Sequence, residues 1–210
     1  LPKFPKPPGV AALRDIPPQT LILAVGTILA RIYFSAGPHP LRWNEFRSFG
    51  PTSARWDHHL PERVDTAQRS RSVFYCAPDV DTCAAEVFQN TRWINRTRNS
   101  PTLVLLALRR PVTLLDLRGP FATVLGASTA IHSGSRPRAR AWARELYEAF
   151  PDVEGLYYGS SMNGHAPAIV LNDRAQQAMP AHPEFRRSLN DDIVVPLLQR
   201  IAQNLSYGLR

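Results

Sequence analysis

Between Ser72 and Gln89 the hydrophobic pattern changes period, and this change does most to limit the fold. Ser72 to Ala77 (SVFYCA) is a short run rich in β-branched and aromatic residues, the pattern of a strand. Asp79 then stands where a helix N-cap belongs, and Val80, Cys83, Ala84, Val87 and Phe88 follow at i, i+3, i+4, i+7 and i+8. A strand that runs directly into an amphipathic helix needs a sheet to join and a second layer to cover it. Elsewhere the chain offers more of both. Thr27 to Phe34 (TILARIYF), Thr102 to Leu108 and Val112 to Leu117 read as strands, the last two joined by Arg109-Arg110-Pro111. Gly155 to Gly159 (GLYYG) and Ala166 to Leu171 (APAIVL) read the same way, and Ser53 to Asp57 as a shorter strand. Helices are expected over Phe121 to Ile131, weakened by Gly126, over Arg138 to Phe150, and over Ile193 to Leu205 with Pro196 in its first turn. The alternation is not strict, which favours an α+β domain over a wound parallel sheet.

The 210 residues leave room for one domain. Six prolines in the first 20 residues predict an extended N-terminal arm (1–20), with the domain proper over 21–210. The longest uncharged apolar run, Leu21 to Ala30, falls well short of the roughly 20 residues that span a bilayer. No charged start and apolar core resembling a secretory leader is present, so a cytoplasmic location is expected. Cys76 and Cys83 fit no zinc spacing and read as small core residues.

Net charge is +8, and all basic residues but Lys3 and Lys6 are arginine. Guanidinium groups grip phosphates and carboxylates in pairs, so the balance points to an anionic partner, although arginines on a solvated face read equally well. A nucleic-acid-binding module is one such reading, but no binding motif or aromatic-interleaved basic strip supports it. Glycine-rich dinucleotide and phosphate loops, the GxSxG elbow and HExxH are all missing. His58-His59 is the only histidine pair. Read on a strand, the two rings point to opposite faces, so no metal site is expected.

What remains is a scatter of polar residues on apolar elements. Arg31 lies inside an apolar strand and needs either the surface or an anionic partner. Arg55 sits beside Trp56 between two loops, and Tyr75 lies in the strand that feeds the helix. Glu86 is off the helix's apolar stripe, which suits either solvent or a cleft. Ser160 and Ser161 end the strand GLYYG, where a plain turn would also place them.

Taken in order, these segments resemble the RES-domain family, named for a recurring arginine, glutamate and serine. The matching motifs are ARIY (30–33), ARWDHH (54–59), VFYCA with AAEVFQ (84–89), LLDLRG (114–119), GASTAIHSG (126–134), RARAWARELYEAFP (138–151) and GLYYGSSMNG (155–164). They cover roughly residues 21 to 207. The resemblance places the family's arginines at Arg31 and Arg55, its tyrosine at Tyr75, its glutamate at Glu86 and its serine at Ser160. Tyr33 and Ser161 adjoin these motifs and are counted as candidate substrate contacts; some members carry arginine where this chain has Ser161.

The resemblance implies a fold like that of ADP-ribosylating toxins, and a toxin of a toxin–antitoxin pair that destroys NAD+. The nicotinamide–ribose bond would be broken with water or inorganic phosphate as acceptor, without a metal; transfer of ADP-ribose to a protein is the alternative. It further implies a helix-turn-helix antitoxin of the Xre type occluding the active site, a hetero-oligomer of several copies, and contact with nucleic acid only through that antitoxin. On this reading Glu86 stabilises the cationic ribose, Arg31 and Arg55 hold the pyrophosphate, Tyr75 presents its ring, and the Ser160 hydroxyl bonds the carboxamide or a ribose oxygen.

Overall fold

A computed structural model describes residues 2–63 and 66–210. In chain order the elements are α1 (Val10–Arg14), β1 (Thr20–Leu23), β2 (Ile28–Phe34), β3 (Val73–Cys76), α2 (Val80–Phe88), β4 (Trp93–Ile94), β5 (Pro101–Ala107) and β6 (Val112–Asp116). They continue with α3 (Phe121–Val124), α4 (Ala130–Ser133), α5 (Arg136–Ala149), β7 (Gly155–Gly159), β8 (Pro167–Asn172), β9 (Phe185–Ser188), α6 (Val195–Leu205) and β10 (Gly208–Leu209).

Five strands form one sheet in the order β1-β6-β7-β8-β3, antiparallel except where β6 lies parallel to β7. That parallel pair requires a crossover, which α3, α4 and α5 supply. A second sheet, β2-β5-β9, is antiparallel throughout. The two meet where Ala30 and Ala77 exchange backbone hydrogen bonds of 2.8 and 2.9 Å.

Side chains alternate across each strand, so the five-stranded sheet buries both faces. Val73, Leu115 and Val170 pack with Trp142 and Leu146 of α5; Phe74, Leu114, Ile169 and Leu171 pack with Leu29 and Leu106. A third cluster joins Ala30, Ile32 and Leu103 to Cys83, Ala84 and Phe88 of α2 and to Leu198 and Ile201 of α6. Both cysteines are free and buried. The mixed strands and flanking helices are those of an α+β domain.

Three expectations need correction. The first 20 residues are not extended throughout: the five residues of α1 form a helix between the prolines, Phe4 and Leu13 enter the core, and Trp142 Nε1 donates to the Pro5 carbonyl at 2.9 Å. Phe121 to Ile131 is not one helix; Gly126, at φ +87°, separates α3 from α4, a conformation that costs glycine little. Ser53 to Asp57 is no strand but an irregular loop, so the strand argument for His58 and His59 fails: both rings are buried and stacked with centroids 6.1 Å apart. Its backbone bonds to side chains in place of a ladder.

Candidate active site

The largest share of the predicted polar residues gathers around one cavity of about 360 Å³, a size suited to a small organic ligand. β2 contributes Arg31 and Tyr33, β3 contributes Tyr75, and α2 contributes Glu86. Arg55 comes from the loop before β3, and Ser161 from the loop after β7. Ser160 does not line the cavity but reaches it through Glu86.

Arg31 shares a strand face with Leu29 and Tyr33 and is almost wholly buried. No carboxylate among the described residues pairs with it. Its Nη1 donates to the Glu45 carbonyl at 2.8 Å, and the guanidinium lies over the Phe74 ring, 4.0 Å from the centroid. Burial pulls its pKa down to about 10, which leaves it a cation at neutral pH. Of the two outcomes open to a charge in an apolar strand, Arg31 takes neither the surface nor an ion pair among the described residues. Arg55 is anchored by Nη1 to the Gly134 carbonyl at 2.8 Å. Its pKa is lowered by burial and then by the nearby charge of Arg136, with Glu86 acting in the opposite direction.

Glu86 is held from two sides. Ser160 Oγ accepts the backbone N–H groups of Met162 and Asn163, each at 3.1 Å, and donates its own proton to Glu86 Oε1 at 2.5 Å. Gln89 Nε2 donates to the Glu86 carbonyl at 2.6 Å, while its Oε1 accepts from Arg136 Nη2 at 2.6 Å. The same serine loop is tied to the first turn of α2, where Asn163 Nδ2 donates to Thr82 Oγ1 and Thr82 donates to Asp79. With both acceptor positions and its proton engaged, Ser160 orients Glu86 and has no proton left for a ligand.

The Tyr75 hydroxyl is buried with no hydrogen-bond partner among the described residues, and burial raises its pKa. Tyr33 is buried beside Arg31, while Ser161 is exposed at the cavity edge.

The cavity also holds residues that sequence reasoning missed: Arg47, Thr52, Gln89, His132, Arg136 and Tyr158. His132 Nε2 lies 3.1 Å from the Leu117 carbonyl, which can only accept, so the proton sits on Nε2. Burial lowers its pKa to about 4. For Arg136 a signal was present, since it opens the arginine-rich helix; for Arg47 and Thr52 there was none.

Among its described lining residues the cavity therefore presents Arg31, Arg47, Arg55 and Arg136 against one carboxylate, Glu86. Such a set can grip a dianion with paired charge-assisted hydrogen bonds and hold one negative charge against a developing cation. No group of three metal-ligating side chains is found among the described residues, and no helix there is long and apolar enough to cross a membrane.

The RES domain family model matches residues 28–192. This chain belongs to the RES-domain family. A chain in the crystal structure of the M. tuberculosis MbcT-MbcA toxin–antitoxin complex superposes with a TM-score of 0.58 at 16% identity, over 94% of this chain and 97% of that one. The likeness covers the whole fold. No curated protein matches the sequence.

Proposed function

We propose that this protein is the toxin of a toxin–antitoxin pair and cleaves the nicotinamide–ribose bond of NAD+. The observation that carries the reading is the Ser160-held carboxylate of Glu86, facing a cavity whose other charged groups are arginines. Membership of the RES family and a fold shared with a chain of a toxin–antitoxin complex support it.

The chemistry suits these groups. Nicotinamide departs with the bonding electron pair as a neutral molecule, so no general acid is needed. The barrier lies in the cationic ribose left behind, as at other glycosidic centres. Glu86, fixed by Ser160 and Gln89, stabilises that cation without having to reorganise. Arg31, Arg47, Arg55 and Arg136 hold the pyrophosphate, and Tyr33, Tyr75 and Tyr158 supply aromatic surface and hydroxyls for the nucleoside. Ser161 meets the substrate at the cavity edge. Water or inorganic phosphate then adds to the anomeric carbon, water giving up one proton. Ser160 acts as a positioning residue, not as a contact to the carboxamide. The partner would be an Xre-type helix-turn-helix antitoxin that covers this cavity in a cytoplasmic hetero-oligomer.

The test is NAD+ consumption by the purified chain with and without phosphate, with products resolved by chromatography. Loss that needs phosphate and yields a phosphorylated ADP-ribose marks a phosphorylase; loss without phosphate marks a glycohydrolase. ADP-ribose on a protein, with little bulk NAD+ loss, would overturn the proposal in favour of a mono-ADP-ribosyltransferase.

A further inference from the structure

Asp57 is fully buried, and both of its carboxylate oxygens are saturated. Oδ2 accepts from Arg47 Nη2 at 3.0 Å, from the Thr52 backbone N–H at 2.7 Å and from Thr52 Oγ1 at 2.8 Å. Oδ1 accepts from the His59 backbone N–H at 3.1 Å and from His59 Nδ1. Burying a carboxylate costs several kcal/mol unless such bonds offset it. Residues 52–59 belong to no strand, and beyond the Arg47–Val73 bridge to β3 no ladder reaches the network, so it serves something local.

What it serves is visible in the residues it holds. Asp57 closes the loop 52–57 on itself, with its own N–H donating to the Ala54 carbonyl at 3.4 Å. Thr52, Ser53, Ala54 and Arg55, the residues between those bonds, all line the cavity. Across the network Arg47 also lines the cavity, its guanidinium fixed between Asp57 and the Phe49 carbonyl and lying 5.2 Å from the Phe49 ring centroid. These two bonds take two of the five guanidinium N–H groups. A side chain at Gly50 would strike the His59 ring at 2.8 Å, so the loop is packed tightly where the network crosses it.

From this geometry we infer that Asp57 is the positioning residue for the cavity's anion-binding loop, fixing Arg47 so that a diphosphate is gripped by a preset guanidinium group. The inference rests on the reading of this cavity as the NAD+ site, and it adds a residue that touches no substrate yet sets how tightly the diphosphate is held.

The experiment titrates inorganic pyrophosphate into the full chain by calorimetry for wild type, Asp57→Asn, Arg47→Ala and the double variant, with thermal unfolding and NAD+ kinetics measured alongside. A lost hydrogen bond to a charged group corresponds to about tenfold or more in affinity. Asp57→Asn and Arg47→Ala are each expected to weaken pyrophosphate binding by about that factor. The double variant should be no weaker than the weaker single one, because both act through one guanidinium. In NAD+ turnover, KM should rise while kcat stays within about threefold, a split that mere loss of folded protein does not produce. Should Asp57→Asn fail to fold, Thr52→Val removes one donor to the carboxylate and should give a smaller loss of the same kind.

Wild-type affinity in a folded Asp57→Asn or Thr52→Val protein overturns the inference, as do additive losses in the double variant or a wild type that ignores pyrophosphate. Binding that depends on Asp57 in a protein that leaves NAD+ intact would instead overturn the proposed function and leave the positioning role standing.

Discussion

The strand wall of the cavity and its loop wall hold arginines by opposite means. Arg31 belongs to β2, whose backbone is fixed by the full ladder to β5, and among the described residues its charge is met by carbonyl groups and the Phe74 and Tyr33 rings. Arg47 is joined to β3 by a single backbone bridge to Val73, Arg55 lies in a stretch with no strand partner, and one carboxylate, Asp57, gathers the segment between them. The strand wall inherits its geometry from the core and should fail only when the core fails. The loop wall depends on a few polar bonds, and should loosen without the rest of the protein unfolding.

The largest effect expected is on the strand wall. Phe74→Ala removes a fully buried ring from beneath Arg31, and such truncations typically cost about 3–5 kcal/mol. A fall in melting temperature with activity lost in step, seen by calorimetry and NAD+ turnover, would bear out the contrast; a stable protein that binds NAD+ weakly would break it. Glu86→Ala should do the reverse. Removing an electrostatic contributor of this kind commonly lowers kcat about 100- to 1,000-fold, and melting should scarcely change. Near wild-type NAD+ depletion by a folded Glu86→Ala protein would sink the glutamate's role. Ser160→Ala frees Glu86 from one short hydrogen bond and should cost about tenfold in kcat with KM little altered, measured by steady-state kinetics.

Acid should single out the loop wall. His58 is buried, and its pKa falls from 6.5 to about 3 in the folded state; that of His132 falls to about 4. Below pH 6.5 the unfolded chain takes up protons that the folded one refuses, so stability declines as pH drops from 6.5 toward those values. The slope is at most about 1.4 kcal/mol per pH unit for each histidine. Asp57 acts in the same direction further down: its folded pKa is depressed by hydrogen bonding to His59 and by the Arg47 charge against the cost of burial, so its contribution is lost as pH falls below about 3.8. Hydrogen exchange between pH 7 and pH 4.5 should show residues 47–59 losing protection before β2 and β3. Equal loss in both would erase the distinction between the walls.

The same division explains what was legible in the sequence. The strand wall and α2 could be read because a regular element writes its period into the chain: ILARIYF, the stripe from Val80 to Phe88 and the Asp79 cap all stand where the pattern put them. Arg31 stood out because it interrupts an apolar run. The loop wall writes no period. Its backbone groups bond to Asp57 and Gln68 side chains, so nothing in the spacing of Arg47, Thr52 and Asp57 announces that they meet, and Ser53 to Asp57 passed for a strand. Edge strand β9 was missed for a related reason: FRRS carries exposed arginines where a central strand would carry apolar residues. His132, Arg136 and Tyr158 come from three elements that converge only in the folded chain.

The N-terminal segment carries a consequence for how this protein is handled. The family match begins at residue 28, yet Phe4 and Leu13 lie against the α5 side of the core and Pro5 accepts the Trp142 indole N–H. These residues lie before the matched span and cover that face of the core. A chain begun at residue 28 would strip β1 from the edge of the five-stranded sheet and bring the Trp142 face of α5 into water as an apolar strip, the kind of surface that draws copies together in concentrated solution. Such a chain would lose both solubility and the packing behind the Gly134 turn that anchors Arg55, so an inactive truncated preparation would say little about the chemistry of the site.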